Sequence, residues 1–407
     1  MSFSQGLSGL NAASQALDVV GNNIANSQTI GFKSGSIAFA DVFAGSQIGM
    51  GVQVSGIRQN FSDGVLGQGT GSLDMGIQGN GFFRLVSQAG QVFYSRNGQF
   101  KTNENGYVVN DTGMQLTGYQ ASGTPPAIQP GAAIGPIQIP TSQMPARASD
   151  GGKMKGNLDS GAEVIDPKFV FDPKDSNSYN SVSQVDAYDS LGNRHTINVY
   201  FVKTADNKWQ IYSSDTTAPV VDGTGKAQYQ GMEIAFDSAG QLTTNPARVP
   251  IKGAAYNGAE ELEFELDMTG MTQQATETAM ESPSTTGYPP GMMNGFTVGD
   301  SGEIIASYSN GQRQLLGQVV LANFTNAGGL ASSGNNAWTE TPSSGQPVVG
   351  IAGSGNLGNL YGNKVESSNV DLSQEMVNMI IFQRNYQSNS QTIKTQSELL
   401  QTLVNLG

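Results

Sequence analysis

The sequence contains no cysteine and a single histidine, His195. Disulfide staples and thiolate metal sites are therefore excluded, and imidazole-based metal or triad chemistry would have to centre on one residue. Charge is scarce as well. Asp, Glu, Lys and Arg make up 13% of the 407 residues, against roughly 25% in ordinary soluble domains. The balance is acidic, with 20 basic and 33 acidic side chains and a formal net charge of −13. Such a chain, lacking any basic cluster, would repel phosphate backbones and anionic lipid, so neither nucleic acid nor membrane insertion is expected. No run approaches the ~18 apolar residues of a membrane span. No basic residue precedes Lys33, so the positive n-region of a cleaved secretory signal is missing.

In place of charge the chain carries 53 glycines and many uncharged Ser, Thr, Asn and Gln. A surface poor in Lys and Arg suits a protein that buries its exterior against copies of itself. The length exceeds the roughly 250–300 residues at which single cores stop growing, so more than one domain is expected.

The two ends resemble each other. Phe3, Leu7, Leu10, Leu17 and Ile24, with Ser14 and Gly21 between them, step by four and three, the a/d spacing of a coiled coil. Leu372, Met376, Met379, Tyr386, Ile393, Leu400 and Val404 repeat that alternation, with Gln383, Ser390 and Ser397 as polar interruptions. Asp371 is the expected N-cap of this second helix, with Gln374 completing a capping box. Neither Pro nor Gly occurs from Asp371 to Leu406, so about 36 residues can form one helix of roughly 54 Å. One amphipathic helix would be an ordinary element docked on a core. Two such seams flanking a β-rich middle point to helices that pack against each other and against neighbouring copies.

Between the ends the period changes to two. After a Gly-rich connecting segment with hairpin character (Ile37–Phe43, Val52–Ile57), strands are expected at Gly81–Val86, Val92–Ser95, Gln99–Thr102 and Tyr107–Asn110, with Asn97-Gly98 and Asn105-Gly106 as turns. A Pro-rich stretch, 124–145, reads as a crossing into a second domain. There Val182–Asp189, Arg194–Lys203 and Lys208–Ser213 form a meander, and Glu261–Met268 alternates apolar with acidic residues. A Pro/Ser/Thr-rich return, 281–290, precedes strands at Phe296–Val298, Glu303–Ser307, Gln314–Asn323 and Gln346–Ile351. The fold class is mainly β with terminal α-helices in a nested order: N-terminal coiled-coil helix (1–30), connecting segment (31–71), inner β-domain (72–145), inserted outer β-domain (146–284), the rest of the inner β-domain (285–363) and C-terminal helix (364–407).

Three motifs could in principle carry chemistry. Gly353, Gly355 and Gly358 match G-x-G-x-x-G, but no helix opens on them and no βαβ unit surrounds them, so they read as a turn. His195 reads as an exposed strand residue. The acidic face Glu261–Asp267 is spread along a strand instead of wrapped in a loop, which favours solvation over a hard cation. No catalytic, cofactor-binding or metal-binding residue is assigned, and no enzyme is expected. A secreted β-rich binding protein or glycan hydrolase would need a cleft with paired carboxylates and would leave the terminal seams unexplained.

Gly21, Asn22, Asn23, Ile24, Ala25 and Asn26, followed by Thr29, Gly31, Phe32 and Lys33, resemble the N-terminal signature of the flagellar rod and hook axial proteins. Ser368–Leu372, Glu375–Val377 and Gln383, Arg384, Asn385 and Tyr386 resemble its C-terminal counterpart. Asn80–Phe83 with Tyr94–Phe100 is similar to the shared β-domain. Within that family the distal rod members are shorter, and an additional outer β-domain marks the hook members, which the inserted segment fits. The resemblance implies a self-assembling subunit of a short curved tube, a universal joint that passes torque from rod and motor to filament. It implies as partners further copies of the chain, a distal rod protein, a hook–filament junction protein, a hook capping protein and the flagellar type III export apparatus. It also implies an extracellular location in the flagellum, reached without signal cleavage. The alternative within the family is a distal rod subunit, which would build a straight tube.

Overall fold

The computed structural model describes residues 3–42, 49–123, 125–129, 131–166, 168–221 and 227–406, except the side chains of 230 and 403–406. Phe43, Thr124, Pro130 and the Val404 side chain, each part of an expectation above, lie outside the described residues. The protein is mainly β with one long helix near each end. It divides into two compact units, residues 1–141, 294–307 and 313–407 in one, and residues 142–293 and 308–312 in the other.

In the first unit, α1 spans Phe3–Ala25 and α2 spans Leu372–Leu406. Asp371 Oδ1 accepts from the amides of Ser373 (2.9 Å) and Gln374 (3.1 Å), which satisfies two of the amides a helix start leaves open. The box is only half formed, because the Gln374 amide donates to Asn378 Oδ1 instead. The connecting segment is an antiparallel pair, β1 (Gly35–Asp41) and β2 (Val52–Gln59), with a register shift between Ala38 and Phe39. The main sheet has twelve strands, and its central path runs 293–298, 303–308, 313–323, 115–120, 82–86, 92–95, 337–339 and 331–334. Phe82, Tyr94, Phe324 and Trp338 pack on one another beside it. Their rings meet edge to face, 4.7 Å between Tyr94 and Phe324 and 5.8 Å between Phe82 and Trp338, a geometry that adds to area burial. Strands 359–362 and 364–366 pair antiparallel with 75–78 and 66–68. The glycine-rich run 353–358 is a turn between strands 348–351 and 359–362, with Gly353 and Gly355 at φ of 75° and 57°.

In the second unit, strands 181–188, 194–205, 208–215 and 230–235 form an antiparallel meander. A second sheet, 248–253, 262–267, 152–153 and 284–285, supplies the other half of the core. Trp209, Phe201 and Ile211 from the first and Ile251, Phe264 and Leu266 from the second belong to one buried cluster. The Trp209 indole donates to Gln273 Oε1 at 2.8 Å, so this buried donor is satisfied.

One expectation for this unit is corrected. His195 is not exposed; it is fully buried, with Nδ1 2.5 Å from Asp215 Oδ2 and Nε2 3.3 Å from Asp189 Oδ2. It shares strand parity with Ile197, Val199 and Phe201, so the pleat turns it inward with them. The acidic face of strand 262–267 is open to solvent, and two of its carboxylates are also paired. Lys252 and Arg248 on the neighbouring strand approach Glu263 (2.8 Å) and Glu265 (3.1 Å), exposed pairs worth little individually.

Candidate assembly interface

α1 and α2 lie antiparallel. A Cβ on Gly6 would stand 3.1 Å from Ile393 Cγ1, one on Gly9 would stand 2.8 Å from the Asn389 amide, and Asn23 Nδ2 donates to Glu375 Oε1 at 3.2 Å. As numbers rise along α1 they fall along α2. The row of α1 turned to its partner is Gly6, Gly9, Ala13, Ala16, Val20 and Asn23. All but Gly9, which is half-buried, are buried, and the row steps by three and four as a heptad seam does. Small side chains let the helices approach closely, since interaxial distance follows side-chain size at the contact.

The large apolar stripe read from the sequence therefore lies one position away from the row that α2 covers. Phe3 and Leu7 stay 48% and 43% exposed, and Leu10, Leu17 and Ile24 are half-buried. On α2, Met379 and Ile393 are half-buried, while Leu372, Met376, Tyr386 and Leu400 are exposed, as are Val377, Ile380 and Ile381. Among the described residues of α2, none is buried. Burying one such side chain is worth about 1.5–3 kcal/mol, and exposed apolar faces of this extent mark interaction sites.

The roots of the two helices are tied by polar contacts. Lys33 Nζ donates to Glu366 Oε1 and to the Ser62 carbonyl, each at 2.6 Å. Arg96 reaches Glu366 Oε2 at 3.1 Å and the Gly79 carbonyl at 2.7 Å, with Asp63 at 3.5 Å. Burial pushes the Lys33 ammonium below the usual lysine range, Arg96 adds to that, and Glu366 opposes it. Asn369 accepts from the Ser34 amide and donates to the Asn60 and Ser62 carbonyls. Asn23, fully buried, exchanges hydrogen bonds with both backbone groups of Gly35.

Most N-terminal signature residues thus serve this junction. Asn26 closes α1 by donating to the Asn22 carbonyl and side chain, and Thr29 donates to Asn26 Oδ1. Gly31 sits at φ +69°, where a Cβ would come 2.5 Å from the Asn97 nitrogen, so only glycine fits. Phe32 is half-buried beside Lys33, whereas Arg384, Asn385 and Tyr386 stand exposed on α2. The small-residue row and the roles of Arg96 and Glu366 were missed by sequence reasoning. The 3/4 spacing of Gly and Ala could have revealed the former. Nothing local identifies partners so distant in sequence.

Four family profiles match successive parts of the chain. Residues 5–33 match the flagella basal body rod protein, 76–154 the flagellar hook protein FlgE/F/G D1 domain, 157–288 the flagellar basal body protein FlaE D2 domain, and 362–406 the flagellar basal body rod FlgEFG protein C-terminal region. The chain is 50% identical over 407 residues to the flagellar hook protein FlgE of Salmonella typhimurium strain LT2, covering 100% of both. It is 49% identical over the same length to FlgE of Escherichia coli K12, again covering 100% of both. The crystal structure of Helicobacter pylori flagellar hook protein FlgE2 superposes with a TM-score of 0.54 at 16% identity. That match covers 74% of this chain and 100% of the other, and at that identity it speaks for the fold alone.

Proposed function

The chain belongs to the flagellar hook protein family, so its role is structural, and we propose that it fulfils this role by polymerising through its terminal helices into the curved tube of the hook. One observation carries the reading: after α1 and α2 have packed on each other, large apolar side chains on both helices remain open to solvent. A second copy can cover them, and each covered side chain adds to the association free energy. Near-continuous helix packing at the centre of a tube resists shear. The 146–284 β-domain, on the outside in this reading, offers polar, charge-poor surfaces that slide past one another at little cost. A stiff inner wall with compliant outer contacts is what a bending coupling between motor and filament needs.

In this reading the distal rod protein abuts one end of the tube, the hook–filament junction protein abuts the other, and a capping protein guides addition. The type III export apparatus delivers the chain outside the cell without cleavage. Electron microscopy of the polymer formed by the purified full-length chain tests the core of the proposal. Curved tubes are expected, and Leu10→Asp should abolish them while both tryptophans, Trp209 and Trp338, keep their unfolding transitions. Straight tubes would favour a rod subunit, and normal tubes from Leu10→Asp would remove the α1 stripe from the interface.

A further inference from the structure

The charges on the two helices are few: Asp18 on α1, and Glu375, Arg384, Lys394 and Glu398 on α2. Asp18 is the sole charged residue of α1. It is exposed and lies on the side of the helix away from the Gly6–Asn23 row. Arg384 on α2 is also exposed and follows Ile380 and Ile381 by four and three residues, so it continues their outward apolar face. Among the described residues neither takes part in an ion pair within the chain. Asp18 stands on the rim of a recess lined by Gln15, Val19, Asn22, Phe32 and Ile57, and by Lys33, whose ammonium is closed to solvent and already paired with Glu366. Apolar walls with an anion and amide oxygens at the rim suit an arginine, whose stem packs on apolar surface while its planar head donates several hydrogen bonds. A lysine such as Lys394 matches that recess less well.

We propose that Asp18 receives Arg384 of a neighbouring copy and that this pair sets the register between subunits; the proposal rests on the assembly reading above. Copies in a helical polymer share one polarity, so a neighbour's α2 runs antiparallel to α1, as the chain's own α2 does. With Asp18 level with Arg384, Phe3 comes level with Leu399 and Gly21 with Ile381. Phe3 and Leu399 are 48% and 56% exposed in the single chain, and this register covers each with the other. The contact is heterologous, joining an α1 face to an α2 face. It propagates along a polymer instead of closing a dimer.

Charge reversal tests the pair in the purified full-length chain. D18R and R384D should each raise the critical concentration for tube formation about tenfold or more, because like charges then meet. The D18R/R384D double variant should return to within about threefold of the unmodified chain. Tubes from the unmodified chain with no rescue in the double variant would overturn the pair and leave the assembly reading standing. No tubes from the unmodified chain would overturn both. Should the double variant fail to fold, D18C/R384C decides, since the sequence has no other cysteine. A short bis-maleimide should yield a ladder of cross-linked multimers, and monomer-only cross-linking would overturn the proposal.

Discussion

Lys33 Nζ lies 2.6 Å from Glu366 Oε1 across 333 residues of sequence, with both side chains closed to solvent. Glu366 also accepts from Arg96 and from the Gly64 amide, so one carboxylate holds the N-terminal signature, the β-sheet and the strand leading into α2. Removing one partner of a buried pair leaves the others uncompensated, at about 3–5 kcal/mol. Glu366→Gln should therefore lower the stability of the first unit by that amount. Trp338 fluorescence in a Trp209→Phe background reads the loss during urea unfolding, and a change below about 1 kcal/mol would mean the cluster is not structurally needed.

The small-residue row sets a second expectation. Ala16 is fully buried on the α2 side of α1, and added methylenes at a packed site cost about 1–3 kcal/mol. Ala16→Leu should push the helices apart and speed protease trimming of both ends. Ala25→Leu, at an exposed position, should leave the trimming rate unchanged. Equal trimming of the two variants would contradict close packing at Ala16.

Leu7 and Ile393 separate packing within a chain from packing between chains. Leu7 is 43% exposed and Ile393 meets Gly6. Leu7→Asp should leave monomer helicity intact and abolish tubes, whereas Ile393→Asp should reduce both. Circular dichroism of the monomer and electron microscopy of the polymer check the pair of variants. Loss of helicity in Leu7→Asp would place that residue inside the intrachain seam.

Asp189 predicts an acid response of the second unit. Burial pushes its carboxyl up, but hydrogen bonds from Asn193, His195 and the Leu191 amide outweigh this and hold it below the usual carboxylate range. Between that lowered value and the ordinary one the unfolded chain binds more protons. The Asp189 contribution is therefore fully present above the ordinary value and is lost as pH falls through the lowered one. Urea midpoints read from Trp209 in a Trp338→Phe background, from about pH 6 to pH 2, should fall less steeply in Asp189→Asn than in the parent. Identical slopes would show that Asp189 is not linked to folding.

Legibility differed by element. α2 was readable from Asp371 onward because its cap, its period and the lack of Gly or Pro all act locally. Strand 194–205 is legible in position, and the parity of His195 with Ile197 places it on the buried face, against its polar character. The acidic strand 262–267 was readable in its alternation, but Arg248 and Lys252 reach it from a strand whose register follows from the sheet.

By itself the sequence determined that this protein is mainly β with a helix near each end, and that both helices carry apolar stripes. Periodicity and capping are local, and the backbone answers to them wherever the segment lies. Only the tertiary structure decided which row of each helix faces inward. A helix with two rows at heptad spacing, one large and one small, can present either. Closest approach of α1 to α2 selects the Gly/Ala row, and the row of larger apolar side chains stays exposed or half-buried. The Lys33–Glu366–Arg96 cluster belongs to the same class, because buried charges choose partners by the three-dimensional path of the chain.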